Sequence, residues 1–146
     1  MTWKPRTIAV GVDGSETSTK AAEAAAEVAR AWQAKLLIVT VVRPPEGWWG
    51  IGGAPPSPEA LSTALVEGYE QVLNEVESTI PLEGIDYEMI QELGDPSSKI
   101  IEIAEARDVD LILIGRRGAG LAERLMLGSV ADQLCHHSPV PVMVVP

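Results

Sequence analysis

Leu36-Leu37-Ile38-Val39-Thr40-Val41-Val42 is the longest apolar run in the chain, and only Thr40 relieves it. A strand with one wet face would alternate apolar and polar residues. This one does not, which is the habit of a parallel strand covered by helices on both faces. Three further runs have the same character: residues 8–12, 111–114 and 140–145, the last interrupted by Pro141. A fifth, Tyr87–Leu93, differs because Glu88, Gln91 and Glu92 are mixed among Met89, Ile90 and Leu93. It reads as a half-exposed edge strand.

Helical periodicity fills the intervals. Ala21, Ala25, Val28 or Ala29, and Trp32 recur on one face, as do Leu61, Leu65, Val72 and Val76, and again Ile100, Ile103 and Arg107. Ser57-Pro58 and Asp95-Pro96 are helix openings, a capping residue followed by proline in the first turn. A short fourth helix is expected from Ser129, with Asp132 three residues on in capping-box relation, to about His137. The resulting order, βαβαβαβαβ, specifies an α/β fold, an open five-stranded parallel sheet with helices on both faces and right-handed crossovers.

The run at 36–42 also decides the strand order. A flavodoxin-like 2-1-3-4-5 sheet would leave this most apolar strand at an edge. The Rossmann-like order 3-2-1-4-5 makes it internal and gives the edges to the semi-polar third strand and to the last one, where Pro141 is tolerated. The chain then reverses direction between strands 1 and 4. The crevice at their carboxyl ends is the expected binding site.

Composition narrows the function. The 146 residues suit one domain over 1–146, with 46% apolar and 22% charged residues. A net charge of −10 argues against nucleic acid and against anionic membrane as partners. The lone Cys135 closes no internal bridge, and no apolar run is long enough for a membrane span or an export signal, so a cytoplasmic location is expected. Residues 43–56, rich in proline and glycine around Trp48 and Trp49, are too irregular for helix or strand and read as a lid, a contact surface or a disordered loop.

Two loops face the expected crevice: Asp13-Gly14-Ser15 and Gly115-Arg116-Arg117-Gly118-Ala119-Gly120. Glycines let backbone N–H groups close on an anion, and the helix start at Gly128-Ser129 adds free N–H groups and a positive dipole end. Arg116, Arg117 and Arg124 gather three of eleven basic residues in this segment of an acidic protein. Each feature alone has a plainer reading: turn punctuation, a helix cap, a solvated arginine. Their convergence on one switch point favours an anion site.

The spacing Gly115-x2-Gly118-x9-Gly128-Ser129 resembles the nucleotide-binding pattern G-x2-G-x9-G-(S/T) of the universal stress protein family. The likeness extends to Val10-Gly11-Val12-Asp13-Gly14-Ser15, the apolar second strand, Gly94-Asp95-Pro96, and Pro139-Val140-Pro141-Val142. It implies a member of the ATP-binding branch, a regulatory switch in stress adaptation that takes ATP or a related adenine nucleotide with Mg²⁺ or Mn²⁺. By that resemblance Asp13 would bond the ribose or the adenine edge, and the backbone of Val12 and Val41 would line the adenine. Gly115, Gly118, Gly128, Ser129 and Val130 would surround the phosphates. Arg116 stands where the family more often has a small hydroxyl residue, and is counted as strengthening or occluding the phosphate site.

Other constellations fail. No Walker loop or nucleophile elbow is present, and Cys135-His136-His137 has no partners at zinc spacing, so neither a catalytic residue nor a metal site is assigned. Gly50-Ile51-Gly52-Gly53 lacks the strand and helix of a dinucleotide fingerprint. A slow ATP hydrolase or nucleotidyl transferase, and a dimeric interaction module without nucleotide, remain alternatives. The apolar last strand, expected at a sheet edge, would pair with its copy in a homodimer, an arrangement the family resemblance also implies.

Overall fold

The computed structural model describes residues 3–43, 57–117 and 127–146. The elements run β1 Thr7–Gly11, α1 Glu16–Trp32, β2 Lys35–Val42, α2 Pro58–Thr79, β3 Tyr87–Leu93, α3 Pro96–Ala106, β4 Leu111–Gly115, α4 Ser129–His137 and β5 Val142–Val145. The five strands form one parallel sheet in the order β3-β2-β1-β4-β5. The expected strand order and fold class are both observed, with β2 internal and half-buried β3 at the edge.

Register explains why the apolar runs are unbroken. Ile8 pairs with Leu36 and Leu111, and Ala9 pairs with Leu37 and Ile112. Ile8, Val10, Leu36, Ile38, Leu111 and Leu113 face α1 and α2; Ala9, Leu37, Val39, Ile112 and Ile114 face α3 and α4. Both faces of the central strands are therefore core. Ala21, Ala22, Ala25, Ala26 and Ala29 carry α1 onto the sheet with no bulk between them, and all five are buried.

Three helix starts follow the capping rules. Ser15, Ser57 and Asp95 accept the N–H groups of Ser18, Ala60 and Ser98, and Pro58 and Pro96 occupy the first helical position. The fourth begins at Ser129 and ends at His137 as expected, but it is capped differently. Gly128 is the N-cap of α4 and contributes no side chain, so Ser129 is already helical and the expected Ser129–Asp132 capping box does not form. Ahead of the helix the Gly128 N–H is held by the Arg116 carbonyl at 2.7 Å, a tertiary bond that makes Gly128 the cap.

At the amino end of the sheet, Asp110 Oδ2 accepts the N–H groups of Arg6 and Thr7 at 2.8 and 3.1 Å. It fastens the start of β1 to the start of β4. Glu88 on β3 takes Lys35 and Arg107, and the Arg107 guanidinium beside it holds its carboxyl below the usual glutamate range. The carboxyl end, by contrast, is where the chain opens.

Candidate functional site

A solvent-open cleft of ≈ 490 Å³ lies at the carboxyl ends of β1 and β4. Its floor is the end of the sheet, Gly11, Val12, Val39, Val41 and Ile114, and one wall is Pro96 and Ile100 from α3. The lining also holds Asp13 and Ser18 after β1, Gly115 at the end of β4, Arg117 just beyond it, and Val130 and Ala131 in the first turn of α4. An apolar floor with a few placed polar groups is the usual composition of a small-molecule site.

The β1–α1 corner is held by its own hydrogen bonds. Asp13 Oδ1 accepts the Ser15 N–H at 2.9 Å, the Asp13 N–H donates to Ser18 Oγ at 3.3 Å, and Ser18 Oγ donates to the Ser15 carbonyl at 3.0 Å. Gly14 has φ +85°, a left-handed conformation that favours glycine between two such bonds. The chain leaves β1 with the Val12 N–H on the Val39 carbonyl at 2.8 Å. These contacts fix where the Asp13 carboxylate can stand.

The β4–α4 side is held from three directions. The Arg116 N–H donates to the Val145 carbonyl at 2.7 Å, and the Arg116 carbonyl accepts the Gly128 N–H at the same distance. The Thr17 hydroxyl donates to the Arg117 carbonyl. Gly115 lies against the first turn of α1, where a Cβ would come within 2.7 Å of the Thr17 carbonyl carbon. In α4 the N–H groups of Ser129, Val130 and Ala131 have no acceptor within the helix, and Gly128 supplies no side-chain cap. They add a partial positive charge next to the cleft.

Arg117 brings the formal positive charge. Its Nε is shielded from solvent and has no hydrogen-bond partner among the described residues. At the start of α3, Asp95 accepts from Ser97 and from Ser98, with Arg43 at 4.0 Å, and these hydrogen bonds, Ser97 first, hold its carboxyl below the usual aspartate range.

Of the residues expected from sequence, Val12, Asp13, Val41, Gly115 and Val130 line the cleft together. Gly128 and Ser129 begin α4 beside it, and Arg116 bonds through its backbone to Val145 and Gly128. Gly118, Arg124, Trp48 and Trp49 lie outside the described residues. Arg117, Ser18, Pro96 and Ile100 also line the cleft, though none of them was assigned to the site from the sequence. Arg117 carried a signal, as one of three clustered arginines; Ser18 and Ile100 look in sequence like ordinary helix residues. Among the described residues, no three His, Cys, Asp or Glu side chains gather as metal ligands, and no helix is long and apolar enough to cross a membrane.

Comparison with known proteins finds relatives that match nearly the whole chain. The family model described as the universal stress protein family matches residues 4–146. The chain belongs to the universal stress protein family. A universal stress protein of Methanocaldococcus jannaschii is 31% identical over 145 residues, covering 94% of this chain and 80% of that one. Universal stress protein YxiE of Bacillus subtilis is 32% identical over 142 residues, covering 93% and 95%. Among solved structures, a universal stress protein in complex with cAMP superposes with TM-score 0.68 at 24% identity, covering 98% of each chain. The universal stress protein from Archaeoglobus fulgidus in complex with dAMP superposes with TM-score 0.63 at 24% identity, covering 100% of each. These two likenesses establish a shared fold with universal stress proteins.

Proposed function

We propose that this universal stress protein domain, spanning 1–146, binds an adenine nucleotide in the cleft between β1 and β4 and acts as a regulatory switch in stress adaptation, with ATP as the leading ligand. The observation that carries the reading is the cleft itself. It sits at the switch point of the sheet and combines an apolar floor with Arg117 and the uncapped start of α4. Two relatives by fold are described in complex with cAMP and with dAMP. An adenine would lie against Val12, Val41, Pro96 and Ile100, and by the family's glycine motif Gly115, Gly118, Gly128, Ser129 and Val130 would surround the phosphates, with Arg117 beside them. Asp13 would take the ribose hydroxyls, which a carboxylate accepts well. Since no described acidic cluster forms a cage, a Mg²⁺ or Mn²⁺ ion would be held chiefly by the polyphosphate.

Isothermal titration of the full chain with ATP, AMP and cAMP, with and without Mg²⁺, tests the proposal. One nucleotide per chain is expected, and Gly118→Val should weaken ATP at least tenfold. Absence of binding by every nucleotide, or unchanged ATP affinity in Gly118→Val, would remove the phosphate-nest reading. A turnover assay on the same samples separates a binding switch from a hydrolase.

A further inference from the structure

We propose that Arg117 is the residue by which the cleft selects a phosphorylated ligand over the bare nucleoside. The proposal rests on the adenine-nucleotide reading above and adds a specificity determinant to it. Three observations meet at this side chain. Its Nε is buried with no partner among the described residues, although guanidinium N–H groups shielded from water are almost always hydrogen-bonded. Its backbone is anchored, because Thr17 bonds the Arg117 carbonyl while Arg116 is bridged to Val145 and Gly128 on either side. The base of the side chain is thus set before any ligand arrives.

The third observation is charge. Among the described lining residues only Asp13 and Arg117 carry formal charge. Arg117 thus brings a positive charge to the cleft of a protein whose net charge is −10. Among the described lining residues it is therefore the formal positive charge that an incoming anion would meet. A phosphate oxygen would supply the missing acceptor, and the planar fork of arginine suits two such oxygens at once. The nucleoside alone offers neither the charge nor the acceptor.

The test is titration calorimetry of the full chain with ATP, AMP and adenosine, on wild type, Arg117→Met, Arg117→Lys and Arg30→Gln. Arg30 lies at the far end of α1, so its variant removes one positive charge away from the cleft. In Arg117→Met, ATP and AMP should weaken tenfold or more while adenosine stays within threefold; in Arg30→Gln all three should stay within threefold. Arg117→Lys keeps the charge and loses the fork, and should lie between wild type and Arg117→Met; it also serves if the Met variant fails to fold. An ATP loss below tenfold in a folded Arg117→Met, or an equal loss for adenosine, would overturn the proposal. If the wild type binds adenosine and ATP alike, the selection fails while the adenine site survives. If it binds neither, the nucleotide reading falls and this one with it.

Discussion

A Cβ on Gly115 would stand 2.7 Å from the carbonyl carbon of Thr17 and 2.8 Å from its oxygen. Helix α1 and the end of β4 therefore meet backbone to backbone at the rim of the cleft. Gly115→Ala should destabilise the fold by about 1–3 kcal/mol, because the obstacle is main chain and cannot rotate aside. Gly11→Ala should cost less, since its nearest neighbours at 2.9 and 3.0 Å are the terminal methyls of Ile114 and Ile100. Chemical denaturation of the two variants side by side checks the ranking; equal stability of Gly115→Ala and wild type would contradict the contact.

Leu37 is fully buried between β1 and β3, on the α3 and α4 face. Leu37→Ala removes a side chain that the surrounding sheet cannot collapse to replace. A loss of about 2–5 kcal/mol is expected from urea midpoints at unchanged slope. The exposed Val66, 52% accessible on α2, gives the contrast, since Val66→Ala should change stability by under about 0.5 kcal/mol.

Asp95 links stability to acid. Its folded pKa is lowered by Ser97 and Ser98, so the ionised carboxylate is favoured in the native state. The stabilisation is complete above the ordinary aspartate value of about 3.9 and disappears as pH falls through the lower native value. Asp95→Asn should therefore differ most from wild type near neutral pH and converge with it in acid. Asp95→Ala also loses the cap on Ser98 and should cost about 0.5–2 kcal/mol at pH 7. Thermal melts between pH 2 and 7 measure both, and a constant gap down to pH 2 would rule out the linkage.

The homodimer proposed through β5 has a test that spares the fold. Val142 and Val144 pack onto the core under α3 and α4, whereas Met143 is 43% exposed at the sheet edge. Met143→Lys should leave the melting curve near wild type while shifting sedimentation equilibrium from dimer to monomer. A folded Met143→Lys chain that sediments as a dimer would move the interface elsewhere.

The architecture was legible because it rests on burial, which leaves a mark on composition. Leu36 to Val39 had to be apolar on both faces, and Glu88 and Glu92 could be carried only where β3 has an open side. The site was half legible. Asp13 and Gly115 stand out by motif, yet the reason for glycine at 115 is the approach of Thr17, a contact between residues 98 positions apart that no local pattern announces. The start of α4 at Ser129 was legible, but its cap was not, for the same kind of reason. Ser129 is the better cap by propensity, but the bond from Gly128 to Arg116 decides the geometry.

The position of β1 has a kinetic consequence. Ile8 meets Leu36 after one helix, but meets Leu111 only after most of the chain has intervened. Closing the longer loop costs about 1 kcal/mol more in chain entropy, and nothing local rewards it beforehand. The β1-β2-β3 half is thus expected to assemble first and β4-β5 to dock onto it late. The cleft lies on that seam, between a wall made early and a wall made late. A molecule held there would tie the two halves together, and its effect should fall on the rate at which they part more than on the rate at which they meet.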